Sequence, residues 1–243
     1  MSRDDAPLEF LSLFAGAGGL DLGLERAGWN CLYAADSDQD AVGTLRENQG
    51  SGFAPEAIFE CRDVRELTGR EILQKVGRRK GSIPLMAGGP PCQSWSSAGK
   101  QKGMDDPRGL LFRDFVRLAD ECGCRIILFE NVRGMLTARG PSGEPGEALA
   151  LIRETLAEKG YHSEVRLLNA ADFGVPQRRV RLIIVGFRKT APPGFPTPTH
   201  AQPQRGELSL LPDWPTLGDL LDSIDASIES CKLAGETITM MWK

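Results

Sequence analysis

Short apolar runs alternate with amphipathic segments along most of the chain. Four runs bounded by turn residues have the length and composition of buried strands: residues 8–14, 31–35, 83–88 and 125–131. Apolar residues recur at helical spacing in five other segments: residues 20–27, 38–48, 64–76, 110–121 and 147–159. This alternation predicts an α/β fold with a mostly parallel, doubly wound sheet that carries helices on both faces.

The last third of the chain departs from this pattern. HSEVRLLNA and RVRLIIVGF are strand-like runs with no helical segment between them, so we expect an antiparallel last strand. Five prolines in KTAPPGFPTPTHAQPQRG then predict an extended connector, followed by one acidic amphipathic helix near residues 217–228. We therefore expect one domain over residues 1–188 and a proline-rich connector with a short helical tail over residues 189–243.

Composition narrows the class of protein. No apolar run approaches the roughly 18 residues that span a bilayer, and the N-terminus lacks a secretory pattern, which favours a cytoplasmic protein without a membrane partner. Six scattered cysteines and two histidines give no metal-ligand cluster. The net charge of −4 argues against a self-sufficient nucleic-acid binder. Basic residues nevertheless gather at Arg78–Lys80, at Lys100, Lys102, Arg108 and Arg113, and at Arg178, Arg179 and Arg181.

The segment SLFAGAGGLDLG follows the first strand and opens the first helix. Its glycines permit a tight turn close to a ligand, although such a turn alone is weak evidence for a site. Asp36 ends the next strand about 20 residues later, where an acid can accept hydrogen bonds from ribose hydroxyls. Asp63 in CRDVREL is a further strand-end acid, which taken alone is better explained as a helix cap. Together these features favour a nucleoside ligand.

A single thiol, Cys92, follows the strand at residues 83–88 in the segment GGPPCQSWSSAGKQKG. A lone cysteine is more often a buried hydrophobic residue than a nucleophile. Its position at the carboxyl edge of the sheet, where open α/β folds bind ligands, raises the second possibility. Glu130 and Asn131 end the next strand at the same edge, and Arg179 and Arg181 open the last one, two residues apart and so on one face.

Six segments, in this order, resemble the DNA (cytosine-5) methyltransferases: FAGAGG, AADSDQDAVGTLREN, DVREL, GGPPCQSWSSAGKQKGMDDPRG, FENVRGML and NAADFGVPQRRVR. The resemblance covers about residues 8–188 and implies a Rossmann-like, S-adenosylmethionine-dependent methyltransferase fold. It implies that the Cys92 thiolate adds to carbon 6 of a flipped cytosine. Glu130 would engage the ring nitrogen N3 and the exocyclic amine, while Arg179 and Arg181 help to hold the base.

The resemblance also implies two sets of binding residues. Those expected around S-adenosylmethionine are Phe14, Ala15, Gly16, Gly18, Gly19, Leu20, Asp36, Ser37, Asp63, Val64, Pro91 and Leu111. Those expected to contact double-stranded DNA or the target base are Gln93, Ser96, Lys100, Asn131 and Gln177. The small and basic residues after Cys92 would then close over the DNA.

The family's target-recognition region and closing motifs are not recognisable after residue 188. Either a second polypeptide carries them, as in a split restriction-modification methyltransferase, or the chain is a truncated form; we favour the split enzyme. A transfer-RNA cytosine methyltransferase shares much the same motifs. A non-catalytic regulatory relative is disfavoured because Cys92 and Glu130 are present, and a Rossmann oxidoreductase is disfavoured by the glycine spacing.

Overall fold

The computed structural model describes residues 8–91, 110–203 and 210–221. Four residues with expected roles, Cys92, Gln93, Ser96 and Lys100, lie outside the described residues, as do residues 222–228 of the expected tail helix. The roles assigned to them therefore stay predictions.

The described residues form a seven-stranded sheet in the order β3-β2-β1-β4-β5-β7-β6. The strands are β1 (Glu9–Leu13), β2 (Asn30–Asp36), β3 (Ile58–Cys61), β4 (Leu85–Gly88), β5 (Ile126–Val132), β6 (Tyr161–Asn169) and β7 (Val180–Arg188). β1 pairs in parallel with β2 and β4, β3 with β2, and β5 with β4. β7 runs antiparallel to β5. The expected α/β class, with an antiparallel end to a mostly parallel sheet, is confirmed.

Helices cover both faces of this sheet. The α-helices are α1 (Gly19–Arg26), α2 (Gln39–Glu47), α3 (Gly69–Lys75), α4 (Leu111–Cys122) and α5 (Glu147–Glu158). Apolar residues of α1 and α2 pack with one set of strand residues, which includes Phe10 and Ala34. Residues of α3, α4 and α5 pack with the alternate set, which includes Leu11 and Leu13. Because successive strand residues face opposite sides, both faces of the strands are buried, as the continuous apolar runs predicted.

The segment expected to form one helix over residues 64–76 is divided. Asp63 caps a short 3-10 helix at Val64–Glu66, its Oδ1 accepting from the backbone N–H of Arg65 at 2.9 Å. Thr68 then has an extended backbone (φ −122°, ψ 146°), and its hydroxyl accepts from the N–H of Glu71 at 3.2 Å. Because each capping residue starts its own helical turn, the chain changes direction between them.

The chain forms two compact units. One contains residues 1–167 and 181–195, and the other contains residues 168–180 and 196–243. In the second unit, residues 217–221 are helical, and Thr216 and Asp219 exchange hydrogen bonds at the start of that helix. The expected domain boundary after residue 188 stays a prediction. Across the described ranges, no helix has both the length and the apolar character that crossing a membrane requires.

Candidate active site

The expected site residues of the first unit collect at one edge of the sheet. β1, β2, β4 and β5 are parallel, so their carboxyl ends meet there. The chain places β2 and β3 on one side of β1, and β4 and β5 on the other. Open α/β sheets bind ligands where the strand order reverses in this way, in the crevice outside the carboxyl ends. By this rule the crevice is expected between β1 and β4.

The turn between β1 and α1 has an unusual backbone. Phe14 has φ of 56°, and Gly16 and Gly18 have φ of 54° and 82°. A Cβ added to Gly18 would lie 2.5 Å from side-chain carbons of both Leu45 and Phe53. Glycine is therefore required at residue 18 for its backbone angle and for its contacts. A non-glycine residue such as Phe14 in the left-handed region is typical of strained functional turns.

Asp36, at the end of β2, holds this turn in place. Its Oδ2 accepts from the N–H of Gly16 at 2.8 Å, and its Oδ1 accepts from the N–H of Asp38 at 2.9 Å. Each carboxylate oxygen has a second lone pair, so both can still accept a hydroxyl proton. Asp36 is half-buried and Ser37 beside it is exposed. The expected contact with ribose stays a prediction, and the geometry adds a structural role for Asp36.

Asp63 and Val64, after β3, differ in what they offer a ligand. The Asp63 carboxylate forms an ion pair with the Arg65 guanidinium, at 2.5 Å, and this hydrogen bond holds the pKa of Asp63 below its usual value. Val64 is only 3% exposed and packs in the core. Val64 therefore offers a ligand almost no surface, whereas Pro91 and Leu111 are only half-buried.

An acid that sequence reasoning assigned no role, Asp21, lies in the first turn of α1 and is 1% exposed. Its Oδ1 accepts from the hydroxyl of Ser12 in β1 at 2.6 Å, which ties together the two ends of the glycine-rich turn. Its Oδ2 is buried without a hydrogen-bond partner among the described residues. Burial raises the pKa of Asp21 to about 6, against the lowering effect of the Ser12 hydroxyl.

We expect Asp21 to make stability depend on pH. Because its pKa is higher in the folded chain than in the unfolded one, the folded state loses stability as pH rises from about 4 to 6. Asp21→Asn lacks this titration. Its free energy of unfolding relative to that of the wild type should therefore rise by about 2 kcal/mol between pH 4 and 7.5. Urea unfolding at both pH values measures the shift. Asp40→Asn, in the exposed first turn of α2, is the control; equal shifts for both variants would contradict the assignment.

Glu130 and Arg181 face each other across neighbouring strands at the same edge. β5 and β7 pair so that Val132 lies opposite Arg181, and Arg181 Nε lies 3.1 Å from Glu130 Oε1. Both side chains are a little more than a quarter exposed. A Cβ added to Gly89 would lie 3.2 Å from Glu130 Oε2, so the segment after β4 passes close to this carboxylate. The ion pair is thus half-buried at the carboxyl edge of the sheet.

Asn131 fixes the segment that leads to Cys92. Its Nδ2 donates to the carbonyl of Pro90 at 3.1 Å, and its Oδ1 accepts from the N–H of Val132 at 2.8 Å. The side chain is 5% exposed. From the sequence we expected Asn131 to contact the DNA or the base, and this anchoring role was not predicted. The only sequence signal for it was the position of Asn131 beside Glu130. The expected base contact stays a prediction.

Gln177 and Arg179 belong to the second unit, in the loop between β6 and β7. Both are exposed. The N–H of Gln177 donates to the carbonyl of Val175 at 2.7 Å, and the carbonyl of Arg179 accepts from the N–H of Ala170 at 3.0 Å. These bonds close the loop on itself.

The first basic cluster lies elsewhere. Arg78 pairs with Glu9 at the amino end of β1, with Nη2 2.6 Å from Oε1, whereas Arg181 lies at the carboxyl edge. The basic residues at 78–80 therefore do not join those at the crevice. In the parts of the chain that the structure describes, no group of three or more His, Cys, Asp and Glu side chains is arranged to hold a metal ion.

Comparison with known protein families adds to this geometry. Residues 8–237 match the family described as C-5 cytosine-specific DNA methylase. The chain belongs to this family. Membership of the C-5 cytosine-specific DNA methylases implies S-adenosylmethionine as the methyl donor. The residues present fit that molecule: a glycine-rich turn bonded to the strand-end carboxylate of Asp36 suits a nucleoside, and Pro91 and Leu111 are apolar and only half-buried.

Individual relatives share this core. The chain is 41% identical over 182 residues to the Type II methyltransferase M.FnuDI of Fusobacterium nucleatum, covering 75% of this chain and 47% of M.FnuDI. It is 40% identical over 195 residues to the Type II methyltransferase M.AquIA of a Picosynechococcus strain, covering 79% of this chain and 77% of M.AquIA. Apart from M.AquIA, the most similar curated relatives are covered over about half their length.

Solved structures agree with the fold. A putative DNA modification methyltransferase encoded within an E. coli prophage superposes with a TM-score of 0.61 at 29% identity, covering 75% of this chain and 47% of that one. The S. pombe Dnmt2 methyltransferase superposes with a TM-score of 0.57 at 20% identity, covering 76% of this chain and 51% of that one. These likenesses confirm the expected methyltransferase fold.

Proposed function

We propose that this chain transfers a methyl group from S-adenosylmethionine to carbon 5 of a cytosine in double-stranded DNA, as the catalytic part of a restriction-modification methyltransferase. The observation that carries the proposal is the half-buried ion pair between Glu130 and Arg181 beside the segment that precedes Cys92. A carboxylate held in this way can bind the Watson–Crick edge of one base. The glycine-rich turn borders the same crevice.

In the proposed reaction the Cys92 thiolate forms a bond to carbon 6 of the cytosine, which makes carbon 5 nucleophilic. A proton shared between one Glu130 carboxyl oxygen and N3 offsets the negative charge that develops in the ring, while the other oxygen accepts a hydrogen bond from the exocyclic amine. The ion pair with Arg181 keeps the carboxylate oriented while the base is bound. S-adenosylmethionine, when bound, would supply the methyl group to carbon 5 and leave as S-adenosylhomocysteine. Loss of the carbon 5 proton to water and breakage of the bond between sulfur and carbon 6 then release the product and the Cys92 thiolate.

We further propose that the target cytosine is flipped out of the duplex. Carbon 6 of a stacked base is shielded by its neighbours, so a thiol and a carboxylate cannot both reach a base that remains paired. Unpairing costs a few kcal/mol, which contacts to the extruded base offset. Exposed Gln177 and Arg179 have the donor groups to bind the base and the backbone around it.

We also propose that a second polypeptide supplies the target-recognition region. The chain covers only 47% of M.FnuDI, so such a relative has a long additional segment. M.AquIA, by contrast, has little chain beyond the aligned 195 residues, since these make up 77% of it. Short members of the family therefore exist. The net charge of −4 is consistent with a partner that brings a basic surface for DNA.

Transfer of tritiated methyl groups tests this proposal. We expect the purified chain alone to methylate DNA little or not at all, and the chain combined with the product of an adjacent reading frame to methylate duplex DNA at defined sites. Robust, sequence-specific transfer by the single chain would overturn the requirement for a second polypeptide. Transfer to tRNA but not to DNA by the combined proteins would overturn the DNA substrate and favour the transfer-RNA methyltransferase.

A further inference from the structure

The loop between β6 and β7 has its own hydrogen bonds. Ala170 donates its N–H to the carbonyl of Arg179 at 3.0 Å, and Val175 donates to the carbonyl of Ala170 at 3.2 Å. Gly174 has φ of 82° and turns the chain between them. These few bonds close a loop of about ten residues, and short loops with few buried contacts belong to the less stable parts of a fold. Contacts from outside the loop are therefore needed to hold its exposed residues in one arrangement.

Two pieces of the proline-rich connector, which we call the strap, pack on this loop: residues 199–201 and 212–214. The carbonyl of Asp172 accepts from the N–H groups of Thr199 and His200 at 2.9 and 3.0 Å. The two pieces also bond to each other, because Ala201 donates to the carbonyl of Pro212 at 2.8 Å and Trp214 donates to Ala201 at 2.9 Å. The connector is therefore docked at both pieces, although its prolines predicted only an extended chain.

Side chains complete this contact. The indole N–H of Trp214 donates to Oδ1 of Asp172 at 3.0 Å, and the guanidinium carbon of Arg178 lies 4.9 Å from the centre of the Trp214 ring. A Cβ on Gly174 would lie 2.8 Å from a carbon of the His200 ring, so the strap also excludes any larger residue there. Trp214 thus contacts both sides of the loop, through Asp172 near its start and through Arg178 near its end.

We propose that Asp172 and Trp214 are positioning residues, which hold the loop in the arrangement that presents Gln177 and Arg179 to DNA. The inference rests on the proposed function for its DNA-binding role. The strap acts through a charge-assisted hydrogen bond and a cation–π contact, both of which strengthen when partly desolvated. Fixing the loop before DNA arrives lowers the ordering cost that binding must otherwise meet.

Hydrogen exchange of residues 168–180, measured by mass spectrometry on the full chain, tests whether Asp172 and Trp214 hold the loop. Trp214→Phe keeps an aromatic ring beside Arg178 but removes the indole N–H, and Asp172→Ala removes its acceptor. Both variants should exchange at least about fivefold faster in this peptide, since losing about 1 kcal/mol of local stability has that effect. Asp172→Asn keeps a neutral acceptor oxygen for Trp214 and should exchange more slowly than Asp172→Ala. Trp29→Phe, in the other unit, is the matched control.

The pattern across these variants decides the result. Faster exchange in Trp214→Phe and Asp172→Ala, with rescue in Asp172→Asn, supports the positioning role of Asp172 and Trp214. Any other pattern overturns it. If Asp172→Ala fails to fold, Trp214→Phe should still exchange faster than Asp172→Asn. Methyl transfer by the combined proteins tests the DNA-binding role separately: Trp214→Phe should raise KM for DNA and leave the affinity for S-adenosylmethionine unchanged. An unchanged KM together with faster exchange would mean that Asp172 and Trp214 hold the loop, but that the loop does not contribute to DNA binding.

Discussion

Glu130→Gln is expected to reduce methyl transfer to DNA by a factor of about 10² to 10⁴, the range typical of lost acid–base and electrostatic contacts to a reacting group. The amide keeps the size of the side chain but cannot form the ion pair with Arg181 Nε at 3.1 Å. Nor can it share a proton with N3, which offsets the negative charge that develops in the ring when the thiolate adds. The effect should fall on kcat, because the contact strengthens as that charge develops.

Glu154→Gln, an exposed substitution in α5, is the matched control and should leave methyl transfer unchanged. Binding of S-adenosylmethionine, measured by calorimetry, should be the same in both variants, because Glu130 lies on β5, away from the turn at Phe14–Gly18. A Glu130→Gln enzyme with normal kcat would show that this carboxylate does not contact the reacting base.

Gly88→Ala is expected to destabilise the fold by about 3 kcal/mol or more, at the upper end of overpacking effects. Gly88 pairs with Leu13 across β1 and β4, and a Cβ there would lie only 2.1 Å from the carbonyl oxygen of Leu13. Phe115 closes the remaining space at 3.0 Å. Since a backbone atom cannot move aside as a flexible side chain can, the two strands must separate at the crevice.

The control for this substitution is Gly23→Ala in α1. A Cβ at residue 23 meets no atom within 4 Å, and alanine in an exposed helical position stabilises by about 0.5–1 kcal/mol relative to glycine. The midpoint of chemical denaturation should therefore fall for Gly88→Ala and rise for Gly23→Ala, each relative to the wild type. Equal stability of Gly88→Ala and the wild type would mean that β1 and β4 tolerate a wider separation.

The sheet, and the position of Asp36 and Glu130 at its carboxyl edge, were predictable from the sequence because local signals specify them. Apolar runs identified the buried strands, and Asp36 and Glu130 were expected at strand ends, where the structure has them. The break in the helix expected at residues 64–76 was not predicted, since Thr68 can either continue a helix or cap one. Capping depends on neighbouring packing that periodicity does not report.

Contacts between distant parts of the chain account for the rest. Asp21 has the sequence character of an exposed acid at a helix start, yet the packing of α1 on the sheet buries it. The bond from Trp214 to Asp172 joins residues 42 positions apart, so no local pattern could predict it. A useful signal was nonetheless present: an aromatic residue between prolines in a polar connector is unusual unless it packs against something.

The most direct test is to identify the modified base in the DNA of cells that express this chain together with its adjacent reading frame. The same cells expressing Cys92→Ala are the comparison. We expect 5-methylcytosine in the DNA with the wild-type chain and none with the variant, because carbon 5 is not nucleophilic until the thiolate has added to carbon 6. DNA containing 5-fluorocytosine should also form a denaturation-resistant adduct with the wild type alone. Full methylation by Cys92→Ala, or a methyl group on the exocyclic amine, would contradict the account.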